Sequence, residues 1–405
     1  MLKINSQKLG FPLFIYNDGV PILLPTFFSC CLSKKSVIYV QENWKGKDGF
    51  GSTKLLEKSI SENTAIFIPN RLASFLEWVE EYARDKTEIS LEHHSNLPDE
   101  IINYYLNEVL IGEKGVGEIA IQQHLSALNA YYNYLAQCDL ARIKRLFIKP
   151  KFKETARKNN KKRTAVKYLT PELRSILYQN THSIRDELLL RTGGELGLRS
   201  KENQGFLVED FKVGTKTHPG MKTLFALLDT YPEQMEFEYY LQGIFTKAKR
   251  YSGGVSRVIY FNRSLLERFR EYYDKERPLV SENTFFLNNS PAEHGTPISK
   301  SRASDTFRDV KLIVLEKQAK GLLDPDGQQL EEGHTHHTLR HSFGTDKFYD
   351  FAEEKGIAID DVTTTSSVYL VVAALMGHTT SDGSAPQTTK KYIRSCHIKK
   401  QFEVF

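Results

Sequence analysis

Cysteine is scarce in this chain. Cys30, Cys31, Cys138 and Cys396 are the four in 405 residues, with no CxxC pair and nothing like the density of a secreted disulfide scaffold, which points to a reducing, cytosolic compartment. No apolar run approaches the length of a bilayer span, the most apolar windows such as residues 368–376 being far too short, and the opening Met1-Leu2-Lys3-Ile4-Asn5-Ser6 lacks the apolar core of a signal peptide. Neither sign of charge is in large excess: 55 Lys+Arg against 50 Asp+Glu leave +5, a total that says little about partners. The glycines of Gly112-Glu113-Lys114-Gly115-Val116-Gly117 follow no strand and lack a GK[ST] ending, which argues against a nucleotide loop. His337 and His341 have the i, i+4 spacing of zinc ligands and His334 and His336 lie beside them. Thr338, however, stands where a metalloprotease helix needs glutamate, and no cysteine pair adds ligands, so neither a metal nor a cofactor is expected.

What is present is an ordinary folding composition, 40% hydrophobic and 26% charged over a length that calls for two or three domains. The charge is unevenly spread. Lys144, Arg145, Lys149, Lys151, Lys153, Arg157, Lys158, Lys161, Lys162, Arg163 and Lys167 are offset only by Glu154, a density suited either to a solvated tether or to one that also neutralises phosphates.

Residues 11–28 read as an extended pair around Asn17-Asp18-Gly19 followed by a short helix, and a glycine-rich patch at 46–51 separates them from a helical zone. Leu72, Phe75, Leu76 and Val79, then Ile121, His124, Leu125, Leu128, Tyr131 and Tyr132, recur at helical spacing. The Tyr131-Tyr132-Asn133-Tyr134 cluster could stack on bases, but aromatics at this spacing more often fill a core. Thr170-Pro171-Glu172-Leu173 is a helix start, with a threonine cap and proline in the first turn. Beyond it residues 237–246 and 257–261 read as a hairpin around Ser252-Gly253-Gly254, followed by helices near 264–274, 304–317 and 338–351.

The last seventy residues hold the densest chemistry. His337-Thr338-Leu339-Arg340-His341-Ser342-Phe343-Gly344-Thr345 is followed by Met376-Gly377-His378 and then by Thr388-Thr389-Lys390-Lys391-Tyr392. A helix starting near Thr335 puts His337 and Arg340 on one face close to its N-terminus, the end that attracts phosphate. Arginine suits a phosphodiester because its planar fork holds two oxygens and stays charged. Upstream, Leu198-Arg199-Ser200-Lys201-Glu202 follows the glycines of 193–197 and offers a second arginine. Read alone, Arg199 would simply pair with Glu202 three residues on.

This order of boxes resembles the tyrosine recombinases, or phage-type integrases, strongly over the catalytic boxes, loosely from about Arg71 and weakly over the first sixty residues. The resemblance implies a multidomain chain: an N-terminal segment, 1–53, possessing no assigned role beyond a candidate for arm-site binding; a helical (SAM-like) core-binding DNA-binding domain, 54–148; a basic interdomain linker, 149–167; and a mixed α+β, mainly helical catalytic domain with a small antiparallel sheet, 168–405. It implies site-specific DNA cleavage and rejoining through a 3′-phosphotyrosine, in the integration or excision of a mobile element. Tyr392 would be the nucleophile, Arg199 and Arg340 the phosphate clamps, His337 the proton-transfer partner of the tyrosine and His378 a donor to a nonbridging oxygen. The proton donor to the leaving hydroxyl would be Lys247, on the hairpin, with Lys249 as runner-up. Double-stranded DNA would be the partner, bound by a homotetramer on two sites with the tail after Tyr392 packed on a neighbour; accessory DNA-bending proteins, a cytoplasmic, nucleoid-associated location and the absence of any cofactor are compatible with that picture. The stretch between His378 and Tyr392 is several residues longer than the resemblance leads one to expect, which leaves open whether Tyr392 serves its own site or a neighbour's. A type IB topoisomerase-like enzyme acting on one duplex, or an inactive DNA-binding protein, are the alternatives.

Overall fold

The computed structural model describes residues 1–6, 8–45, 51–83, 89–160, 167–246, 254–363, 365–378, 395–396 and 398–399. Lys161, Lys162, Arg163, Lys247, Lys249 and Tyr392 lie outside them. The described residues fall into two compact units, one in Met1–Lys162 and the other from Arg163 onward.

In the first unit β1 (Leu2–Ser6) pairs antiparallel with β2 (Phe11–Ile15), Leu2 opposite Ile15 and Ser6 opposite Phe11. The expected extended pair around Asn17-Asp18-Gly19 is therefore reduced to a turn and one bridge, Ile15 to Pro21, because the start of the chain takes the ladder positions of β2. After α1 (Leu23–Lys35), β3 (Val37–Lys45) and β4 (Gly51–Ser59) form a long hairpin, so helix resumes only at α2 (Glu62–Tyr82), where the Ser61 hydroxyl accepts the Thr64 N–H and Pro69 lies inside the helix. Next come α3 (Asp99–Tyr104), which runs on into a π-helical segment, Tyr105–Glu113, then α4 (Glu118–Gln137) and α5 (Pro150–Lys158).

One core serves all of these elements. Met1, Phe14 and Phe28 share it with Leu72, Phe75, Tyr105, Leu128 and Ala156. The described residues among the first fifty-three are thus packed into the same body as the helices after them. Tyr131 and Tyr132 are fully buried, Tyr131 hydroxyl to His94 Nε2 at 2.6 Å and Tyr132 donating to His94 O at 2.8 Å, which leaves neither ring a face for a base.

Part of the basic stretch is fastened to this unit. Asn103 receives the Phe147 N–H at 3.0 Å and donates to Arg145 O at 3.0 Å. Asn107 repeats the pattern one turn on, receiving from Lys149 N–H at 2.8 Å and donating to Phe147 O at 3.1 Å. Two side-chain amides thereby stand in for a β ladder partner and satisfy backbone groups of residues 145–149. Lys144 is buried and donates to Leu97 O. Residues 150–158, assigned above to a linker, are helix α5 with Ala156 in the core, while Lys151, Lys153 and Lys158 are exposed.

The second unit is mainly helical with two small antiparallel hairpins. It runs α6 (Pro171–Gln179), α7 (Ile184–Glu195), a 3₁₀ turn Ser200–Gly205, β5 (Phe211–Val213), β6 (Lys216–His218), α8 (Met221–Thr230), β7 (Glu236–Leu241), β8 (Arg257–Asn262), α9 (Arg263–Lys275), α10 (Arg302–Ala319), α11 (His336–Glu354) and α12 (Ser367–Leu375). The Thr170 hydroxyl caps α6 by accepting the Leu173 N–H, with Pro171 in its first turn. Phe206, Phe261, Phe269, Phe285 and Phe286 interlock edge to face or stacked beneath the hairpin and α9. Among the described residues no helix is long and apolar enough to cross a membrane.

Candidate active site

The arginine boxes meet in the second unit because glycines remove the side chains that would hold them apart. Helix α7 ends at Glu195 with Leu196 as its C-cap, and Gly197 follows in the left-handed region with φ +65°. A Cβ there would strike the Phe343 ring and lie 3.2 Å from Met376 Sδ. This close approach lays Arg199 and the 3₁₀ turn after it alongside α11. Thr335 caps α11, as its sequence position led one to expect, and the helix carries His337 in its first turn and Arg340 inside the fold. At the end of α12, Gly377 turns the chain at φ +58° and presents His378.

Glu202 is the hub. It is 1% exposed and receives the Arg199 backbone N–H at 2.8 Å and Arg199 Nη1 at 2.8 Å. Arg257 grips the same carboxylate with both terminal nitrogens, at 3.1 and 2.8 Å, and Arg340 Nη1 is 3.6 Å away. Burial alone would push Glu202 toward protonation, yet hydrogen bonds and charge from Arg257, then the charges of Arg340 and Arg199, hold its carboxyl at about 2. Arg340 also donates to the carbonyls of Gly197 and Met376, tying together the two glycine turns. Arg199, by contrast, keeps 27% of its side chain exposed.

The histidines divide into two pairs. His336 is buried with Nε2 3.2 Å from Leu189 O, and His334 accepts the Glu331 N–H at 3.0 Å, so both are packing residues. His337 is exposed at the helix start, its ring 4.7 Å from that of His341. Burial, followed by the charges of Arg340, Arg199 and Arg257, lowers His378 to about 4; desolvation and then Arg340 and Arg199 likewise lower His337. Both imidazoles are therefore neutral near pH 7. Each can donate from one nitrogen and accept at the other. Among the described residues no group of three or more His, Cys, Asp or Glu has the arrangement to hold a metal.

Of the residues singled out from sequence, Arg199, His337, Arg340 and His378 are brought together; Lys247, Lys249 and Tyr392 lie outside the described residues. Beyond Tyr392 the described residues are Ser395, Cys396, Ile398 and Lys399. Ser395 and Cys396 are buried in the same chain, Cys396 Sγ 3.7 Å from Thr345 O on α11. Lys399 Nζ reaches Asp346 at 3.4 Å and Asp350 at 3.7 Å and lies 4.5 Å from the Tyr349 ring centre. Two participants escaped sequence reading: Glu202, which looked like a surface partner of Arg199, and Arg257. A signal for Arg257 did exist. Strand β8 alternates, and Arg257 falls in phase with buried Ile259 and Phe261, where an arginine requires an acidic partner.

No family model matches the chain and no curated protein matches it. The solved structures it is similar to are tyrosine recombinases and integrases. The Tn1549 transposon integrase in complex with a circular intermediate DNA is 15% identical, with 85% of this chain and 95% of that one covered and a TM-score of 0.47. A lambda integrase dimer bound to a core site is 16% identical, covering 83% and 90%, with a TM-score of 0.43. The XerA recombinase is 13% identical, covering 85% and 93%, with a TM-score of 0.35. At such values the likeness is a general one and carries nothing about individual residues.

Proposed function

We propose that this protein is a site-specific tyrosine recombinase that cleaves and rejoins double-stranded DNA through a 3′-phosphotyrosine, in the integration or excision of a mobile element. The observation that carries this reading is the convergence of Arg199, Arg340, His337 and His378 at one place around a buried, ionised Glu202. Two guanidiniums there face a developing pentavalent phosphorane, and two neutral imidazoles can hand protons on and donate hydrogen bonds to it. Tyr392 is the nucleophile of the proposal and Lys247, or failing it Lys249, the acid that protonates the departing 5′ hydroxyl. Energy of the broken bond is kept in the phosphotyrosine, so strand rejoining needs no ATP.

We infer further that Tyr392 serves its own chain's site. Cys396 rests on Thr345, five residues beyond Arg340 on α11 and so roughly 7–8 Å along the helix. Ser395 is likewise anchored, and three residues of chain reach at most about 11 Å. Four protomers on two DNA sites complete the proposed assembly.

The test is covalent trapping. Purified full-length protein is incubated with a nicked suicide duplex cut from the DNA on either side of its own gene, and an adduct resistant to denaturant is expected with and without EDTA, because arginines neutralise the phosphate. Absence of any adduct overturns the proposal; loss in chelator with recovery on adding zinc moves the chemistry to a metal.

The exposed cations of α5 are proposed to neutralise backbone phosphates. Replacing Lys151, Lys153 and Lys158 by glutamine is expected to flatten the dependence of log affinity on log salt, by about 0.9 for each phosphate no longer neutralised. An unchanged slope in an anisotropy titration would make this helix a solvated surface only.

A further inference from the structure

Arg257 is the first residue of β8 and faces Leu241, the last of β7, at the end of their ladder. Its side chain is 5% exposed and closes a two-pronged fork on Glu202, Nη1 to Oε1 at 3.1 Å and Nη2 to Oε2 at 2.8 Å. Both of its terminal nitrogens are thus given to one carboxylate, so its charge is matched inside the fold rather than by a DNA phosphate. Its other face is covered by the glycine turn after α12: a Cβ on Gly377 would fall 2.7 Å from Arg257 Nη1 and 3.2 Å from its Cζ. One side chain at the end of that ladder therefore touches the carboxylate that orients Arg199 and the backbone turn that presents His378.

Resting on the recombinase reading above, we propose that Arg257 is a positioning residue for the reaction: through its fork on Glu202 and its contact under Gly377 it fixes Arg199 and His378 relative to one another without touching DNA. The geometry gives this a physical basis. Glu202 accepts from Arg199 through both the backbone N–H and Nη1, so a fixed Glu202 holds the Arg199 fork at its base and at one tip, and the orientation of that fork is what two phosphate oxygens read. A lysine at 257 could neutralise the charge but could not hold both carboxylate oxygens.

The experiment is a double-variant cycle on full-length protein, using the same nicked duplex and measuring the single-turnover rate of adduct formation separately from duplex affinity. Arg257→Met is expected to slow adduct formation by about 100-fold, the cost of a misplacement near one ångström, with affinity changed less than about threefold. Arg257→Lys should recover part of that rate. Combined with Glu202→Gln, Arg257→Met should add almost nothing, since both act through the same contact. The acid limb of the rate profile should also move to higher pH in Arg257→Lys: Glu202 then faces the charges of Arg199 and Arg340 without the fork and protonates more readily. Multiplicative losses in the double variant, a loss confined to affinity, or a wild-type rate and pH profile in Arg257→Lys would each overturn the proposal while leaving the recombinase reading intact. Should Arg257→Met fail to fold, Arg257→Lys and its pH profile decide the matter. If the wild type itself forms no adduct, it is the recombinase reading that falls, and the proposal with it.

Discussion

Tyr392→Phe is expected to abolish the covalent adduct, by roughly 10³-fold or more in rate, while duplex affinity stays within about threefold of wild type. The variant removes one oxygen, the attacking atom, and leaves the ring and every cation of the site in place. Denaturing gels with labelled suicide duplex give the first quantity and anisotropy the second. A persistent adduct would shift attention to the nearest upstream phenol, Tyr369, and the structure argues against that residue in advance. Tyr369 is fully buried against Phe348, its hydroxyl has no hydrogen-bond partner among the described residues, and burial pushes its pKa up to about 12. A phenol so placed neither ionises readily nor reaches a duplex. Persistence in the double variant Tyr392→Phe, Tyr369→Phe would remove both of these phenols from the account.

Glu202→Ala is expected to be the most destabilising single change near the site. It leaves Arg257 and Arg340, 5% and 1% exposed, beside no carboxylate, and breaking a buried pair by removing one partner costs about 3–5 kcal/mol. For a domain of this size that lowers the melting temperature of the second unit by roughly 6–20 °C, readable by calorimetry. The pH dependence gives a sharper check. Glu202 is depressed to about 2 from an ordinary value of 4.5, so its contribution is fully present above pH 4.5 and is lost as pH falls through the folded value. The gap in stability between wild type and Glu202→Ala should therefore narrow progressively below about pH 4.5. A gap that stays constant from neutrality to pH 3 would mean that Glu202 is not the carboxylate balancing these arginines.

The readable parts of this chain were those written locally. The cap at Thr170, the helix start at Thr335 with His337 and Arg340 on its first turns, and the strands β7 and β8 all depend on neighbours within a few positions and stand as read. The exception is the end of β7, which stops at Leu241, so that a 3₁₀ turn, Gly243–Phe245, takes the place of the strand read on to 246. Features set by distant partners escaped. Strand β1 is too short to announce itself, and β2 pairs with it rather than with the segment beyond Gly19. The β3 and β4 hairpin holds more polar than apolar residues and is read as a strand pair only once β3 is seen to lie on α4. Asn103 and Asn107 look like ordinary helical polar residues until residues 145–149 arrive to be held. Arg257 meets Glu202 across fifty-five positions. Periodicity could have given its face but not the acid that waited there.

The glutamate hub also has a consequence for the site when it is empty. Among its described members three guanidiniums face one carboxylate, with the histidines neutral, so the cluster carries +3 − 1 = +2 within a largely buried space. Such a surplus is self-repelling, and only a ligand of the opposite sign relieves it. A phosphodiester brings one negative charge, and phenolate attack on it makes a phosphorane with two. In the proposed reaction these described charges, counted before the lysine that acts as acid, are matched more closely by the phosphorane than by bound substrate, so the resting cluster leans toward the species it would have to stabilise most.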